Sequence, residues 1–288
     1  MLPTMRQSGP VQSVSKAFAL LRAFTPQEPM LTASQLTRKV GMPMSTGHRL
    51  LKGLEEDGML SRDSRGRYRI GPELYAIGTL YLRTADISEA SRPILTLLND
   101  LTSESVNVSI PAKGNVVLIM KAESKHAFRV AQQVGSLYPA YASSMGMALL
   151  AELTDAEIDE LYPQEKLEPL TERTLTSKTQ LKQELQRVRE TGVAFDIEGS
   201  YQGVVCVSSV IRDASGHAVA AMSISGPQVR MEPDLERRFA PLVKLGARAI
   251  SYRLGYPGPD GPRPTIEAIQ ALWNQEPEPS REPQGLAL

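Results

Sequence analysis

Between Leu31 and Gly58 two short apolar-periodic segments are separated by Gly41-Met42-Pro43, and that punctuation leaves few ways to fold. Thr32 stands where an N-cap belongs, ahead of ASQLTRKV with Leu36 and Val40 facing inward. Gly41 ends that helix, since glycine takes the left-handed conformation at a helix C-terminus without steric cost. Pro43 cannot continue it but suits entry to the next, STGHRLLKGLEEDG, with Leu50, Leu51 and Leu54 apolar and Gly58 as the stop. Upstream, VSKAFALLRAF puts Val14, Ala17, Phe18, Leu21 and Phe24 at spacings of three and four, the stripe of a helix packed on a core. Downstream, MLSRD and RYRI read as short strands around the turn SRGR. Three short helices and a basic hairpin outline a winged helix-turn-helix, whose second paired helix can enter a DNA major groove. Two packed helices with no nucleic-acid role are the plainer alternative. Arg62, Arg65, Arg67 and Arg69, all within eight residues, favour the first, because such a wing tip suits phosphates or a narrow minor groove.

Charge points the same way. Residues 1–84 carry twelve Lys/Arg against six Asp/Glu, a balance of +6, whereas residues 85–288 carry twenty against twenty-six, a balance of −6. A basic first part tied to an acidic second suggests that only the first meets a polyanion. The length of 288 residues favours two domains. No apolar run approaches the ~20 residues of a spanning helix, and MLPTMRQSGP lacks a signal-peptide core. A soluble, cytoplasmic chain with no membrane partner is therefore expected. With Cys206 as the single cysteine, no internal disulfide can form.

The pattern divides into a winged helix-turn-helix over 11–72, a linker helix over 73–86, a second domain over 87–255 and a Pro-rich tail over 256–288. The linker contains LYAIGTLYL with a hinge at 83–86, and apolar linkers of this kind pair across dimers, doubling a short groove-reading surface. In the second domain strands are expected at 106–110, 116–121, 128–132, 192–196, 204–211 and 218–225. Hairpin turns are expected at Gly114-Asn115 and Ser215-Gly216, and helices at 144–153, 155–162, 177–191 and 232–254. Together these make an α+β fold with an antiparallel sheet. The tail should be mostly disordered, except that TIEAIQALWNQ, holding the only tryptophan, Trp273, is amphipathic enough to dock.

On the second helix of the pair, Met44, Ser45, Thr46, His48 and Arg49 are the groove-facing candidates. Ser and Thr at a helix start can bond phosphates or bases, and Arg49 can pair bidentately with guanine. Thr32, Arg65 and Arg67 complete the candidate DNA contacts. Gly47 is out of place inside a helix, at roughly 1 kcal/mol against alanine. Enzyme chemistry would have to use Cys206 with His126 or His217, and neither histidine sits in a nucleophile motif. Three scattered histidines and one cysteine show no ligand spacing, so neither metal nor cofactor is expected.

These segments resemble the IclR family of bacterial transcription regulators from about Ser13 to Gly255. The likeness is carried first by SVSKAFALLRAF, LTASQLTRKVGMPMSTGHRLLKGLEEDGML and GRYRIG. In the second part it is carried by YPAYASSMGMALLAEL, RVRETGVAFD, GVVCVSSVIRDASGH and AAMSISGP. It implies a winged helix-turn-helix joined to a GAF-like effector-binding domain, dimers or dimers of dimers, and operators near genes of carbon-source and aromatic-compound metabolism. Repression, activation or both would be adjusted by a small carboxylate. It also implies effector contacts at Ser143, Ser144, Met145 and Gly146, a helix start where unpaired N–H groups attract an anion. Asp196, Cys206, Ser223 and Ser225 are the other matching positions, with Val130 close by. Ser223 and Ser225 alternate and so share one strand face; solvent-facing serines and an inert buried thiol are the plainer readings. Met44 and Met147 stand where the family commonly has lysine, and IEGSYQ departs from its usual acidic and histidine residues. Phe128, Val130, Tyr138, Tyr141, Phe195 and Tyr201 near these segments favour an aromatic or longer apolar acid over a two-carbon one. The alternative is an orphan regulator with no effector.

Overall fold

The computed structural model describes residues 12–25, 27–84, 87–258 and 264–275, with backbone alone over 79–84. The chain divides into two compact units, Met1–Ala85 and Asp86–Leu288.

The first unit runs α1 (Gln12–Arg22), β1 (Leu31–Thr32), α2 (Ala33–Val40), α3 (Met44–Glu56), β2 (Leu60–Arg62), β3 (Arg67–Ile70) and α4 (Pro72–Thr84). Thr32 caps α2 through a full capping box with Gln35, Gly41 is left-handed at φ 68, and Pro43 precedes the first turn of α3. The two residues of β1 escape any pattern search. They are a strand only because Leu31 and Thr32 pair with Tyr68 and Arg67 of the wing, in a sheet of order β1-β3-β2. Leu20, Leu31, Leu36, Leu51, Leu60 and Tyr68 form the core. The expected stripe of α1 is only partly used. Leu20 is buried with Leu21 and Phe24 beside it, while Val14 and Phe18 stay exposed, because α1 meets α2 and α3 on one side only.

The second unit is a six-stranded antiparallel sheet of order β6-β5-β4-β9-β8-β7. Its elements are α5 (Ile87–Thr102), β4 (Ser105–Ala112), β5 (Asn115–Ala122), β6 (Leu137–Pro139), α6 (Ser144–Leu150), α7 (Asp155–Leu161) and α8 (Lys178–Thr191). Then follow β7 (Ala194–Ile197), β8 (Val204–Arg212), β9 (Ala218–Pro227), α9 (Gln228–Met231), α10 (Ala240–Arg253) and α11 (Ile266–Asn274). Helices α5 and α10 pack against the sheet, α10 so closely that a Cβ on Gly246 would fall 2.6 Å from the Met222 side chain. The face bearing Ala194 and Ala221 is covered by α6, whose Met145, Met147, Leu149 and Leu150 join Leu181 and Leu185 of α8. Every strand neighbour is antiparallel, so the face of each residue follows from the register.

Several sequence expectations need correcting. Residues 128–132 are irregular, not a strand: β6 occupies the edge of β5, and the Lys121 ammonium takes the Val130 and Gln132 carbonyls. Gly192 is the left-handed cap of α8, so β7 begins at Ala194. Helix α6 stops at Leu150 rather than running to 153. The single helix expected over 232–254 is broken. A 3-10 turn with Pro233 and a π turn at Leu235–Phe239 precede α10, because proline offers no N–H to the regular ladder. In the tail, α11 is ordered: Ile269 is buried, and Trp273 lies against Phe239 with the Arg238 guanidinium 4.1 Å above its ring. The rest of the expected tail (259–263 and 276–288) and the hinge residues Ala85 and Asp86 lie outside the described residues. Among the described residues no helix is long and apolar enough to cross a membrane.

Candidate DNA-reading surface and effector site

Ser45, His48, Arg49 and Lys52 recur at spacings of three and four along α3, and all four are exposed on one stripe. Thr46 is half-buried, and Met44, though partly exposed, accepts the Thr37 hydroxyl on its sulfur at 3.3 Å. Gly47 now has a reason. A Cβ there would lie 2.0 Å from Cγ2 of Thr37, whose hydroxyl is tied to the Ala33 and Ser34 carbonyls at 2.9 and 3.2 Å. Glycine therefore permits the close helix pairing that fixes the direction of α3. The Thr32 hydroxyl is committed to its cap. In the wing the Arg67 guanidinium is tied to Asp63, whose carboxyl the Arg67 and Arg65 backbone amides and that guanidinium hold below its ordinary range. Arg62 stacks over Tyr68. Arg65 and Arg69 are exposed and meet no acid among the described residues.

In the second unit the register gathers polar residues on the α6 face of the sheet. One row runs Asp196–Cys206–Ser225–Ser105, and the next Ala194–Ser208–Ser223–Asn107–Lys121. Ser223 and Ser225 are buried rather than facing solvent, and each hydroxyl accepts from the Asn107 side-chain amide, at 3.1 and 3.0 Å. Ser144, at the start of α6, shares a 2.6 Å hydrogen bond with Ser208. Ser143 caps the helix by accepting from the Gly146 N–H, so one of the free donors expected there is already used. Met145 belongs to the apolar core, and Gly146 is demanded by packing, since a Cβ would meet Ala140 at 2.2 Å.

Asp196 is almost wholly buried. Its carboxylate accepts from the Gly199 and Ser200 amides at 2.7 and 3.2 Å and from the Ser200 hydroxyl, yet burial outweighs these and pushes it up to about 6. Burial, aided by neighbouring Asp196, also pushes the Cys206 thiol up, which is the reverse of what a nucleophile needs. His126 faces Glu104 at 3.9 Å and His217 bonds Ser215, so each imidazole is engaged away from the thiol's own partners. A cavity of about 730 Å³ is lined by Tyr138, Tyr201, Glu172, Arg173, Glu198 and Ser200, whose hydroxyl bonds Asp196, with the two tyrosine rings edge to face at 6.4 Å. A smaller one of about 220 Å³ holds Asp196, Tyr141, Phe195 and Arg173. The two serines line neither, and Phe128 is exposed. Sequence reasoning missed Asn107, Ser208 and Lys121. The signal was there, as polar residues at every second position of three strands: 105/107/109, 206/208 and 223/225.

A winged helix-turn-helix followed by a three-layered α+β unit with a polar floor defines a two-domain DNA-binding regulator. Residues 13–64 match the IclR helix-turn-helix domain and residues 79–252 the bacterial transcriptional regulator IclR C-terminal domain, and the chain belongs to this family. Among curated relatives, the transcriptional repressor AllR of Escherichia coli is 33% identical over 85% of this chain and 90% of its own. The transcriptional repressor IclR of the same species is 28% identical over 88% and 93%. The solved IclR structure of Thermotoga maritima superposes with a TM-score of 0.62 at 29% identity, covering 85% of this chain and 99% of that one. An IclR homologue of Microbacterium hydrocarbonoxydans, complexed with 4-hydroxybenzoate, has a TM-score of 0.70 at 22% identity over 84% and 98% and shares the fold. The relatives are transcriptional regulators, not enzymes.

Proposed function

We propose that this IclR-type regulator binds an operator through α3 and the wing, and that a small organic acid held on the α6 face of the second unit adjusts that binding. Ser45, His48 and Arg49 read base edges, while Arg65 contacts phosphate. The observation that carries the effector half is the buried polar floor. Serines and an asparagine occupy strand positions where apolar side chains would pack at less cost, and buried polar groups earn their place only when partnered. The tyrosine-lined cavity, which also carries Arg173, favours an acid with an aromatic or extended apolar body. The 4-hydroxybenzoate bound by the Microbacterium homologue is one such molecule. The exposed Val14 and Phe18 of α1 and Tyr75 and Ile77 of α4 are the surfaces through which two copies pair, so that two α3 helices meet successive turns of a duplex. Effector binding can change operator affinity only by the difference in its affinity for the two arrangements of such a pair.

Fluorescence anisotropy on the full chain tests this, comparing DNA from upstream of its own gene with random duplex at moderate salt, with and without a panel of carboxylic acids. Preference for the upstream fragment, altered by at least one acid, is expected. Equal affinity for both duplexes would overturn the operator half, and indifference to every acid the effector half.

A further inference from the structure

The tyrosine-lined cavity of the second unit carries both signs of charge. Its wall holds one guanidinium, Arg173, and two carboxylates, Glu172 and Glu198. Among the described residues none of the three is in an ion pair, although they line the same space of about 730 Å³. The two loops that present them are stitched together. The Thr171 and Thr174 hydroxyls donate to the Glu198 and Gly199 carbonyls, each at 2.7 Å, and Thr174 is buried. Glu198 stands at φ 61, a left-handed conformation that side chains rarely adopt, and its Oε1 accepts from the Gly203 amide at 2.7 Å. Charges held on such fixed loops need little ordering when a ligand arrives. A plain carboxylate that pairs with Arg173 in this space lies beside two carboxylates of its own sign, and a plain amine lies beside a guanidinium. A molecule with both charges meets an opposite charge at each. Tyr138 and Tyr201, edge to face at 6.4 Å, offer ring surface to an apolar body on the same molecule.

Resting on the effector reading above, we infer that the acid this cavity takes is a zwitterion: an α-amino acid with an aromatic or bulky aliphatic side chain. Arg173 holds its carboxylate, Glu198 holds its ammonium with Glu172 adding to the field, and the two tyrosines pack on its side chain. Arg173 and Glu198 are the specificity residues, the first for acids over neutral molecules and the second for amino acids over plain acids.

Calorimetry on the full chain with matched pairs tests this: phenylalanine against 3-phenylpropionate, tyrosine against 3-(4-hydroxyphenyl)propionate, leucine against 4-methylpentanoate. The wild type binds the amino acid of at least one pair about tenfold tighter, as expected for one added charge-assisted hydrogen bond. Glu198→Gln keeps an oxygen for the Gly203 amide and loses the charge, so the preference within that pair disappears. Arg173→Gln, at an exposed position, lowers affinity for both members at least about tenfold, and Arg173→Lys, which keeps the charge, retains most of it. Melting curves confirm that the variants fold, and if Glu198→Gln does not, the two Arg173 variants decide with the wild-type preference. Plain acids that bind as tightly as their amino acids, a Glu198→Gln protein that keeps the preference, or an Arg173→Gln protein that binds as the wild type does would each overturn this inference and leave the effector reading standing. A wild type that binds neither amino acids nor any plain acid overturns both.

Discussion

The two units keep their chemistry in opposite places. In the first, the candidate contacts of α3 and the wing are exposed, and the interior is apolar apart from Thr37. In the second, Asp196, Cys206, Ser223, Ser225 and Asn107 are buried beneath α6, while the sheet's other face is covered by α5 and α10. A surface that reads DNA needs only a rigid support and the right charges, because its ligand brings water and counterions to be displaced. A site for a small acid must remove that acid from water and replace each lost hydrogen bond with a fixed partner. Changes beneath α3 should therefore act through stability, changes on α3 through affinity, and changes on the buried floor through both.

The largest effect expected from breaking this contrast is at Gly47. Gly47→Leu drives a side chain into Thr37, whose hydroxyl bonds prevent it from turning away. It should cost the first unit roughly 3–4 kcal/mol, at the upper end for overpacking. Thermal unfolding should then show an early transition absent from the wild type, while acid binding by the second unit persists. The mechanism can be isolated. Gly47→Ala should destabilise less, and adding Thr37→Ser, which deletes Cγ2 but keeps the hydroxyl, should recover most of that loss. A Gly47→Ala protein as stable as the wild type would remove the close pairing from the account.

Next comes Asp196. Unfolded, its carboxyl titrates near the ordinary 3.8; folded, near 6. Between those values the folded chain holds a proton that the unfolded chain has released, so this group's contribution to stability falls as pH rises through the window. Above it the cost is constant, about 2–3 kcal/mol. Asp196→Asn keeps an acceptor for the Gly199 amide and cannot ionise. Its stability relative to the wild type should therefore climb from pH 4 to about 6.5 and then level off. Denaturant melts across that range would contradict the burial argument if the difference stayed flat. The same titration weakens binding of an anionic effector above pH 6, an effect that Asp196→Asn abolishes.

How far each unit was legible follows from the same contrast. In the first, the signals are local: Thr32, Gly41 and Pro43 act within a few residues of where they stand, and all three fall as expected. Strand β1 escaped, because its two residues are a strand by virtue of the distant Tyr68 and Arg67. In the second, the main strands were readable from their apolar runs, but what lies over them was not. Alternating serines normally mean a wet face, and only α6, arriving from another part of the chain, makes this one dry. Residues 128–132 have strand-like composition and lose to β6, three residues that hold the edge of β5. The stripe of α1 was right in period and wrong in extent, because periodicity does not say how much partner surface is available.

Arg49→Ala probes the exposed side. If the guanidinium reads a guanine, operator affinity should fall by ~1–3 kcal/mol with non-specific affinity little changed, and the melting curve should not move, since the side chain is exposed. Equal losses on operator and random duplex would reassign Arg49 to the phosphates.

The smallest effect tells most about how charge is used in the wing. Arg67 is the first residue of β3 and its guanidinium is held by Asp63, whereas Arg65, in the turn, has only its backbone amide on that carboxylate. Arg65→Ala should weaken binding to every duplex alike, by under about 1 kcal/mol near physiological salt, and reduce the slope of log affinity against log salt by about one. Arg67→Ala should change that slope less but lower the stability of the first unit, because it unpairs Asp63. Titrations at four or five salt concentrations separate the two. A larger slope change for Arg67 than for Arg65 would mean that the ion pair opens on DNA and that the wing refolds its charges around the phosphates.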